Sequence, residues 1–196
     1  MRIVHLINYF NDNLDYQENN LIKIQSTQGH QVSLITSDRL FPFKNYEQVY
    51  RNVLGNRIIG EKKYKYYGAD VIRKKTLFEF KKHAQCFFPY IFDILKIKPE
   101  VIHIHNCGTY NFITIFLFSL FYNFKIFIDC HQDELNTKKG LIYFLHNKLW
   151  KFIYSLFKGK ISLFLPINDS SKKFLLRSYN IDKNKIKISP LGYKKF

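Results

Sequence analysis

Short apolar runs along the chain alternate with longer segments in which apolar residues recur at helical spacing. Each apolar run is nearly continuous, which is typical of a parallel strand that is buried on both faces. The pattern predicts strands over residues 2–7, 31–36, 69–73, 101–105, 125–129, 161–167 and 186–188. It predicts helices over residues 16–28, 78–97, 109–122, 139–158 and 169–179.

Capping residues mark several of the predicted helix ends. We expect Asp15 to cap the first helix and Asp169 to cap the last, because short polar side chains accept hydrogen bonds from free helix amides. Gly29 is placed to end the first helix. Pro89 is expected to kink the helix over residues 78–97 or to divide it in two. Residues 39–65 show no clear period and are predicted to be irregular.

Alternation of strands and helices predicts an α/β fold with a doubly wound, Rossmann-like parallel sheet and right-handed crossovers. The chain has 196 residues, enough for one such domain with a sizeable core. We therefore expect a single domain over residues 1–189. Residues 190–196 include Pro190 and Gly192 and are expected to begin an interdomain linker.

Charge is concentrated in the last third of the chain. Residues 138–196 carry a net charge of +12 out of a total of +16 at pH 7. Such a face attracts phosphates, anionic lipid or nucleic acid, although a solvated lysine surface is an equal alternative. Nucleic acid is the weaker partner, because the numerous aromatic residues fall in apolar core runs and do not line a basic groove.

The remaining composition points to an intracellular globular protein. Cys86, Cys107 and Cys130 show no paired spacing, so we expect a reducing compartment and no disulfide framework. The first residues lack the long apolar segment of a signal peptide. The apolar stretch over residues 112–128 is short and interrupted, which fits a buried helix and strand better than a membrane span.

Polar residues follow the ends of the predicted strands, where ligands bind in parallel α/β sheets. His103 and His105 point to one face of their strand; we expect His103 to be structural, whereas His105 could serve either role. His131 is the stronger functional candidate, because an imidazole there can bind a sugar hydroxyl or a phosphate, or move a proton. Asp133 and Glu134 could orient it or cap the following loop.

A metal site is a weaker alternative at the same strand ends. His105, Cys107, Cys130 and His131 are zinc-type ligands in kind, but their spacing matches no standard zinc pattern. We therefore expect no metal.

The predicted helix over residues 139–158 has two interpretations. One apolar side carries Leu141, Leu145, Leu149, Ile153 and Leu156, beside a stripe of Lys148, Lys151 and Lys158. The favoured interpretation is a core-packing helix with a solvated lysine edge. The alternative is a helix that lies on an anionic membrane, where lipid-linked acceptors reside.

Taken in order, the motifs resemble the amino-terminal half of family 4 glycosyltransferases. They are MRIVHLINYF, YQENNLIKIQSTQGHQVSLITSDR, PEVIHIHNCG, FIDCHQDE, LFLPINDSSKKFLL and KIKISPLG. The resemblance implies the GT-B fold, in which two Rossmann-like domains face each other across a cleft. It also implies retaining sugar transfer from a nucleotide-sugar co-substrate, with no tightly bound cofactor.

The resemblance also implies site residues. His131 matches the histidine near the reacting sugar, and Asp133 lies in the same loop. The matching acceptor-side positions are Tyr16, Gln17, Glu18, His105, Asn106 and Ser170. Many relatives have a Gly-Gly pair in the first loop, which this chain lacks, so side chains or the helix amino terminus must line the cleft there.

The implied function is the acceptor-binding domain of a glycosyltransferase, for a sugar or lipid-linked acceptor. We expect the donor-binding domain of the family to be absent after residue 196, this chain alone to transfer no sugar, and a partner half-enzyme to be needed. The alternative is a non-catalytic binding or membrane-docking module. The expected location is the cytoplasm, with peripheral binding to the inner face of the membrane as a variant.

Overall fold

A computed structural model of the chain describes residues 1–80, 84–87, 90–134 and 140–190, with only the backbone at residues 80 and 84–87. The described helices and strands alternate over most of the chain, but four strands follow one another between residues 62 and 87. The strands are β1 Arg2–Leu6, β2 Gln31–Ser37, β3 Lys62–Tyr66, β4 Ala69–Lys74, β5 Thr76–Phe80, β6 Ala84–Phe87, β7 Val101–Ile104, β8 Lys125–Cys130 and β9 Ile161–Pro166. The α-helices are α1 Gln17–Thr27, α2 Arg51–Leu54, α3 Ile91–Ile97, α4 Ile113–Phe118, α5 Leu141–Leu156 and α6 Asp169–Phe174.

The chain forms two compact units. Unit 1 comprises Met1–Glu100 and Thr109–Thr114, and unit 2 comprises Val101–Gly108 and the residues from Ile115 onward. Strands in both units are mostly parallel and are accompanied by helices, which confirms the predicted Rossmann-like α/β class. None of the described helices has the length and apolar character needed to cross a membrane.

In unit 1 four strands pair in the order β3-β4-β2-β1. β1 and β2 are parallel, as are β2 and β4, whereas β3 is antiparallel to β4. One face of these strands packs against α1 through a fully apolar cluster. Its buried members are Phe10, Ile22, Val32, Leu34, Ala69 and Val71.

β3 begins inside the segment over residues 39–65 that the sequence predicted to be irregular and ends one residue beyond it. It forms a hairpin with β4, in which Tyr66 pairs with Ala69 across a two-residue turn. Both turn residues, Tyr67 and Gly68, have positive φ angles of 46° and 88°. Positive φ angles at both positions are typical of the two-residue turns whose twist matches the right-handed twist of the flanking strands, and glycine adopts them readily. Alternating lysine and tyrosine suits an exposed edge strand, which the search for apolar runs could not detect.

In unit 2 three strands pair in the order β7-β8-β9, and all are parallel. The predicted last strand, over residues 186–188, forms only a single parallel bridge between Ile186 and Phe164. α5 packs inward through four large side chains, Trp150, Ile153, Tyr154 and Phe157, which are 1–7% exposed. Phe116 of α4 lies against three of them, with ring centroids 5.6–6.4 Å apart.

The long helix predicted over residues 78–97 is wrong in its first half. β5 and β6 pair there as antiparallel strands, and only Ile91–Ile97 is helical. Threonine and phenylalanine near residues 76–80 favour extended backbone, and this preference outweighs the weak helical period. Pro89, predicted to kink or divide the helix, lies outside the described residues.

Two predicted helix caps are also wrong. Tyr16, not Asp15, is the first flanking residue of α1, and its side chain makes no capping hydrogen bond. Asn168, not Asp169, caps α6, because its Oδ1 accepts a 2.8 Å hydrogen bond from the Ser171 amide. Gly29 is confirmed as the stop after α1: its φ is +80°, and its amide donates to the Ser26 carbonyl.

The favoured orientation of α5 is wrong as well. Of the side predicted to face the core, only Ile153 is buried, while Leu141, Leu145, Leu149 and Leu156 are 43–73% exposed. The helix instead turns its aromatic side inward, because Trp150, Tyr154 and Phe157 bury more area than the leucines would.

Candidate functional site

The carboxyl ends of β7 and β8 in unit 2 bring together two histidines and a buried aspartate. His103 and His105 project from one side of the chain at β7, and their rings stack with centroids 4.5 Å apart. Asp129 of β8 lies between them: its Oδ1 is 2.7 Å from His103 Nε2, and its Oδ2 is 2.8 Å from His105 Nδ1.

Burial and charge set the protonation of this group. Burial alone would raise the pKa of Asp129, but the charges and hydrogen bonds of the two histidines hold that pKa well below its usual range. Burial lowers the pKa of His103, and the neighbouring His105 lowers it further. Asp129 acts in the opposite direction but does not outweigh these two causes. At neutral pH the aspartate is therefore ionised, and it fixes which nitrogen of each imidazole faces it.

The sequence pointed to His103 and His105 but missed Asp129. The prediction that His103 is buried is confirmed, since it is 6% exposed and bonded to Asp129. The signal for Asp129 was an ionisable residue inside the otherwise apolar strand KIFIDC, next to a strand with two alternating histidines. A buried carboxylate requires a partner, and those histidines were the available ones.

Two cysteines and a glutamine lie close together at and just after the ends of β7 and β8. Cys107 and Cys130 are buried free thiols whose sulfurs are 2.9 Å apart. Gln132 Oε1 accepts a 3.2 Å hydrogen bond from the Tyr179 hydroxyl and lies 3.6 Å from Cys107 Sγ. Burial, then the contact with Cys130, raises the pKa of Cys107 far above its ordinary value, so this thiol is neutral.

The weaker alternative of zinc ligation at these strand ends stays a prediction. The Nδ1 atom of His105 faces Asp129, an arrangement that histidines adopt both in metal sites and in purely structural hydrogen-bond networks.

The loop after β7 depends on two residues with left-handed backbone. Asn106 is exposed and has φ +79°, a conformation that asparagine tolerates better than most residues. Gly108 has φ +76°, and its amide donates a 3.0 Å hydrogen bond to the Tyr154 hydroxyl. A β-carbon on Gly108 would lie 3.0 Å from His146 Nε2 and 3.1 Å from the Tyr179 hydroxyl. The loop is thus seated on α5.

The other predicted residues of unit 2 occupy the same carboxyl-terminal edge. His131 and Asp133 follow β8 directly and are half-buried. Ser170 follows β9 in the first turn of α6 and is exposed, whereas the neighbouring Ser171 is fully buried. Glu134 is held by Arg177, which donates to both of its carboxylate oxygens at 3.0 and 3.2 Å.

Tyr16, Gln17 and Glu18 lie in unit 1, at the start of α1. Tyr16 is 46% exposed, and the other two are half-buried. Among the described residues, Gln17 Oε1 is a buried oxygen without a hydrogen-bond partner. The three side chains therefore begin one helix, as predicted, and their role in binding stays a prediction.

The first loop of unit 1 is held rigidly without glycine. Arg73, 2% exposed, donates to the carbonyls of Ser37 and Phe10 and to Asp12 Oδ1, at 3.0–3.2 Å. The Tyr64 hydroxyl donates a further 2.7 Å hydrogen bond to Asp12. Side-chain hydrogen bonds from a buried guanidinium therefore hold this loop in place. The sequence analysis did not single out Arg73, because it follows an ordinary apolar strand run.

A second ionic cluster secures β5 in the same unit. Glu79 accepts two hydrogen bonds from Arg57 at 2.7 and 2.9 Å, one from Arg39 at 3.0 Å and one from the Tyr9 hydroxyl at 2.6 Å. Burial alone would raise the pKa of Glu79, but these partners, Arg57 first, lower it overall. Tyr9 belongs to the segment after β1, so the cluster ties that segment to β5.

No family model matches the sequence, and no curated protein matches it in sequence. Among solved structures, a sucrose-phosphate synthase from Thermosynechococcus elongatus matches 97% of this chain and 48% of its own, with a TM-score of 0.61 and 9% identity. A second structure of that synthase matches 98% of this chain and 90% of its own, with a TM-score of 0.57 and 10% identity.

Two further solved structures are similar over nearly the whole chain. A glycosyltransferase from Rickettsia africae ESF-5 matches 96% of this chain and 42% of its own, with a TM-score of 0.52 and 15% identity. HepE from Anabaena, solved in complex with UDP, matches 98% of this chain and 44% of its own, with a TM-score of 0.53 and 11% identity. The chain therefore shares the Rossmann-like fold of glycosyltransferases and spans less than half of three of these four chains.

Proposed function

We propose that this chain is the acceptor-side domain of a retaining, nucleotide-sugar-dependent glycosyltransferase of the GT-B type, similar to family 4. The observation that carries the proposal is the set of polar groups at the carboxyl ends of β7, β8 and β9. There, buried Asp129 orients His105, and His131, Asp133 and Ser170 follow neighbouring strand ends. Ligands of parallel α/β sheets bind at this edge.

The chemistry of this edge suits a sugar better than a diphosphate. Imidazole, amide and hydroxyl groups can each donate and accept hydrogen bonds, as sugar hydroxyls require. A departing nucleoside diphosphate needs concentrated positive charge or a metal to stabilise its charge in the transition state. Within unit 2 we assign His131 and Asp133 to the reacting sugar, and His105, Asn106 and Ser170 to the acceptor.

In this proposal the donor sits on a second domain, as it does across the cleft of a GT-B enzyme. Transfer requires both substrates to be oriented together, which one wall of a cleft cannot do. The coverage of three solved chains, at 42–48%, supports this division. The UDP bound to HepE supports a nucleotide-sugar as the co-substrate. The chain alone is then inactive and acts with a donor-binding half.

Histidine side-chain NMR tests the proposal. We expect hexoses and N-acetylhexosamines to shift the His131 imidazole signals and UDP alone to leave them unchanged. His131→Ala should remove the sugar response at the Asp133 loop, while His30→Ala, which lies in unit 1, should retain it. The absence of a shift with every sugar, or a UDP response at His131, would contradict acceptor binding.

A transfer assay tests the predicted incompleteness separately. Incubating the chain alone with UDP-sugars and the hexoses that bind it should yield no product above a protein-free control. Robust transfer by the isolated chain would show that the second domain is not needed, even if acceptor binding is as proposed.

A second candidate is a non-catalytic binding module that docks on a membrane. The exposed apolar side of α5 favours this candidate. Membrane binding that does not depend on sugar, together with no sugar response in the NMR experiment, would support it over the acceptor-binding domain.

A further inference from the structure

α5 of unit 2 exposes an unusual amount of apolar surface. Its exposed large side chains range from 43% to 83% accessible, although a soluble helix normally turns such residues inward. They are Leu141, Ile142, Phe144, Leu145, Leu149, Phe152 and Leu156. Since seven of its sixteen residues are apolar and exposed, core packing does not explain the composition of this helix.

These residues form a stripe on the side of α5 away from the core. Leu145, Leu149, Phe152 and Leu156 follow one another at spacings of four, three and four residues, which places them on one helical side. The inward side is fixed independently by Trp150, Ile153, Tyr154 and Phe157. We call the outward residues Leu141, Leu145, Leu149, Phe152 and Leu156 the apolar stripe.

α4 and the residues after it expose further apolar side chains in unit 2. Leu117 in α4 is 51% exposed, and Leu120 and Phe121 just beyond it are 54% and 83% exposed. Isolated exposed apolar residues are ordinary, but a concentration such as that on α5 marks an interaction surface.

Positive charge borders the apolar stripe on one side. Lys148 and Lys151 lie on one helical side, which the helical period places next to the stripe, and Lys158 follows just beyond the end of α5. The Lys148 ammonium lies 4.5 Å from the centre of the exposed Phe144 ring, so its stem covers apolar surface while its charge stays outside. No Asp or Glu occurs between Glu134 and Asp169.

A basic groove opens beside these lysines, at the amino end of β9. Its volume is about 410 Å³, and it is lined by Lys151, Lys158, Lys185 and Asn180 among others. Asp182, the acidic residue in its lining, is already bonded to the Asn184 amide at 2.9 Å. Lys185 Nζ donates a 2.7 Å hydrogen bond to the Ile161 carbonyl, so Lys151 and Lys158 are the lysines that we assign to an anion of headgroup size.

We propose that the apolar stripe and its lysine border dock this domain onto an anionic membrane surface. The leucines and Phe152 enter the boundary between headgroups and acyl chains, while the lysines contact lipid phosphates. A protein partner of matching chemistry would need acidic residues around an apolar groove, whereas an anionic bilayer offers both features over any area. This docking requires no sugar transfer and so stands apart from the proposed function.

Tryptophan fluorescence tests where the helix inserts. In Phe152→Trp the new indole lies in the apolar stripe, while Trp150 is 1% exposed and remains in the core. With phosphatidylcholine vesicles containing about one third phosphatidylglycerol, we expect a blue shift and quenching by brominated lipid tails. The matched reporter Val53→Trp, at an exposed site of unit 1, should show neither.

Vesicle sedimentation tests the two contributions separately. The triple variant Leu145→Asn, Leu149→Asn, Phe152→Asn should bind these vesicles at least about tenfold more weakly, because the inserted apolar area is lost. Lys148→Gln and Lys151→Gln should each weaken binding about fivefold and reduce its salt dependence. The control Val53→Asn with Lys44→Gln makes the same kinds of change elsewhere and should bind as the native chain does.

Three results would overturn the proposal. One is no vesicle binding at low salt by the native chain. Another is binding that is unaffected by both sets of variants, although circular dichroism shows each to be folded. The third is a concentration-dependent dimer in sedimentation that the triple variant abolishes while vesicles recruit nothing, since that result assigns the stripe to a second copy of the chain.

Discussion

Asp129 is the residue around which the candidate site of unit 2 is organised. Its two oxygens lie 2.7 and 2.8 Å from imidazole nitrogens of His103 and His105, and all three side chains are buried. The pKa values of Asp129 and His103 are both lowered in the folded state. In each case the unfolded chain binds a proton more readily, so acidification must weaken the fold.

We expect the free energy of unfolding to fall as the pH drops below about 6.5, where an unfolded histidine takes up its proton. The limiting slope for one proton is about 1.4 kcal/mol per pH unit. Urea titrations between pH 5 and 7.5 measure it. His103→Gln keeps a donor for Asp129 and should flatten the profile, whereas His30→Gln should not. Stability that increases toward pH 5 would contradict this assignment.

Glu79 tests the ionic cluster of unit 1. Glu79→Gln removes the charge that pairs with Arg57 and Arg39 but keeps the side-chain volume. We expect the free energy of unfolding to fall by about 2 kcal/mol, because two half-buried guanidinium groups lose their counter-charge. Glu47→Gln is the control, since the exposed pair of Glu47 and Arg51 is worth about 0.4 kcal/mol. Urea unfolding measures the stability of both variants. Equal losses of stability in Glu79→Gln and Glu47→Gln would show that the cluster stabilises the fold no more than an exposed ion pair does.

At the level of elements, the loop after β7 and helix α5 are fitted to each other. The sequence predicted both elements, but the contact between Gly108 and α5 arises only when the chain folds. The predicted carboxyl-edge location of His105, Asn106, His131 and Asp133 follows from parallel strand order, because parallel strands end on the same side. By contrast, two features depend on which of several possible packings is the most stable. They are the β5–β6 hairpin and the choice of the side of α5 that is buried.

Gly108→Ala should destabilise the fold by about 2–3 kcal/mol, because a left-handed backbone and a close approach to His146 and Tyr179 act together. Gly29→Ala is a matched control, since φ is +80° there and nothing lies within 4 Å of the added β-carbon. It should cost only about 1 kcal/mol. Thermal unfolding of both variants measures the difference, and equal shifts would mean that the loop yields without strain.

On the scale of the whole molecule, exposed apolar residues and positive charge are unevenly distributed along the chain. Unit 2 carries the exposed apolar side of α5, and most of the net charge of +16 belongs to residues 138–196. Repulsion among these lysines opposes self-association, while the apolar stripe promotes it. A polar replacement of the stripe therefore changes solubility more than it changes folding.

We expect the triple variant Leu145→Asn, Leu149→Asn, Phe152→Asn to keep its free energy of unfolding within about 1 kcal/mol of the native chain and to be more soluble. Ile153→Ala, on the buried side of the same helix, should cost about 2–4 kcal/mol. Chemical denaturation and solubility limits give both quantities. A large stability loss in the triple variant would show that the stripe packs against the rest of the protein.

The sequence by itself determined the α/β class, the parallel order implied by continuous apolar strands, and the polar character of the strand ends. These features follow from periodicity and burial, which local residue types reveal. It also indicated His105 and His131, since imidazoles after buried strands are readily noticed.

Only the tertiary structure decided which partners the buried charges find and which side of each helix is covered. Asp129 acquires its histidines, and Arg73 its carbonyls, across long separations in sequence. Two sides of α5 were apolar enough to be buried, and the choice between them depended on the aromatic rings that α4 and β9 could accommodate. Pairing and packing are sums over distant contacts, which no local pattern contains.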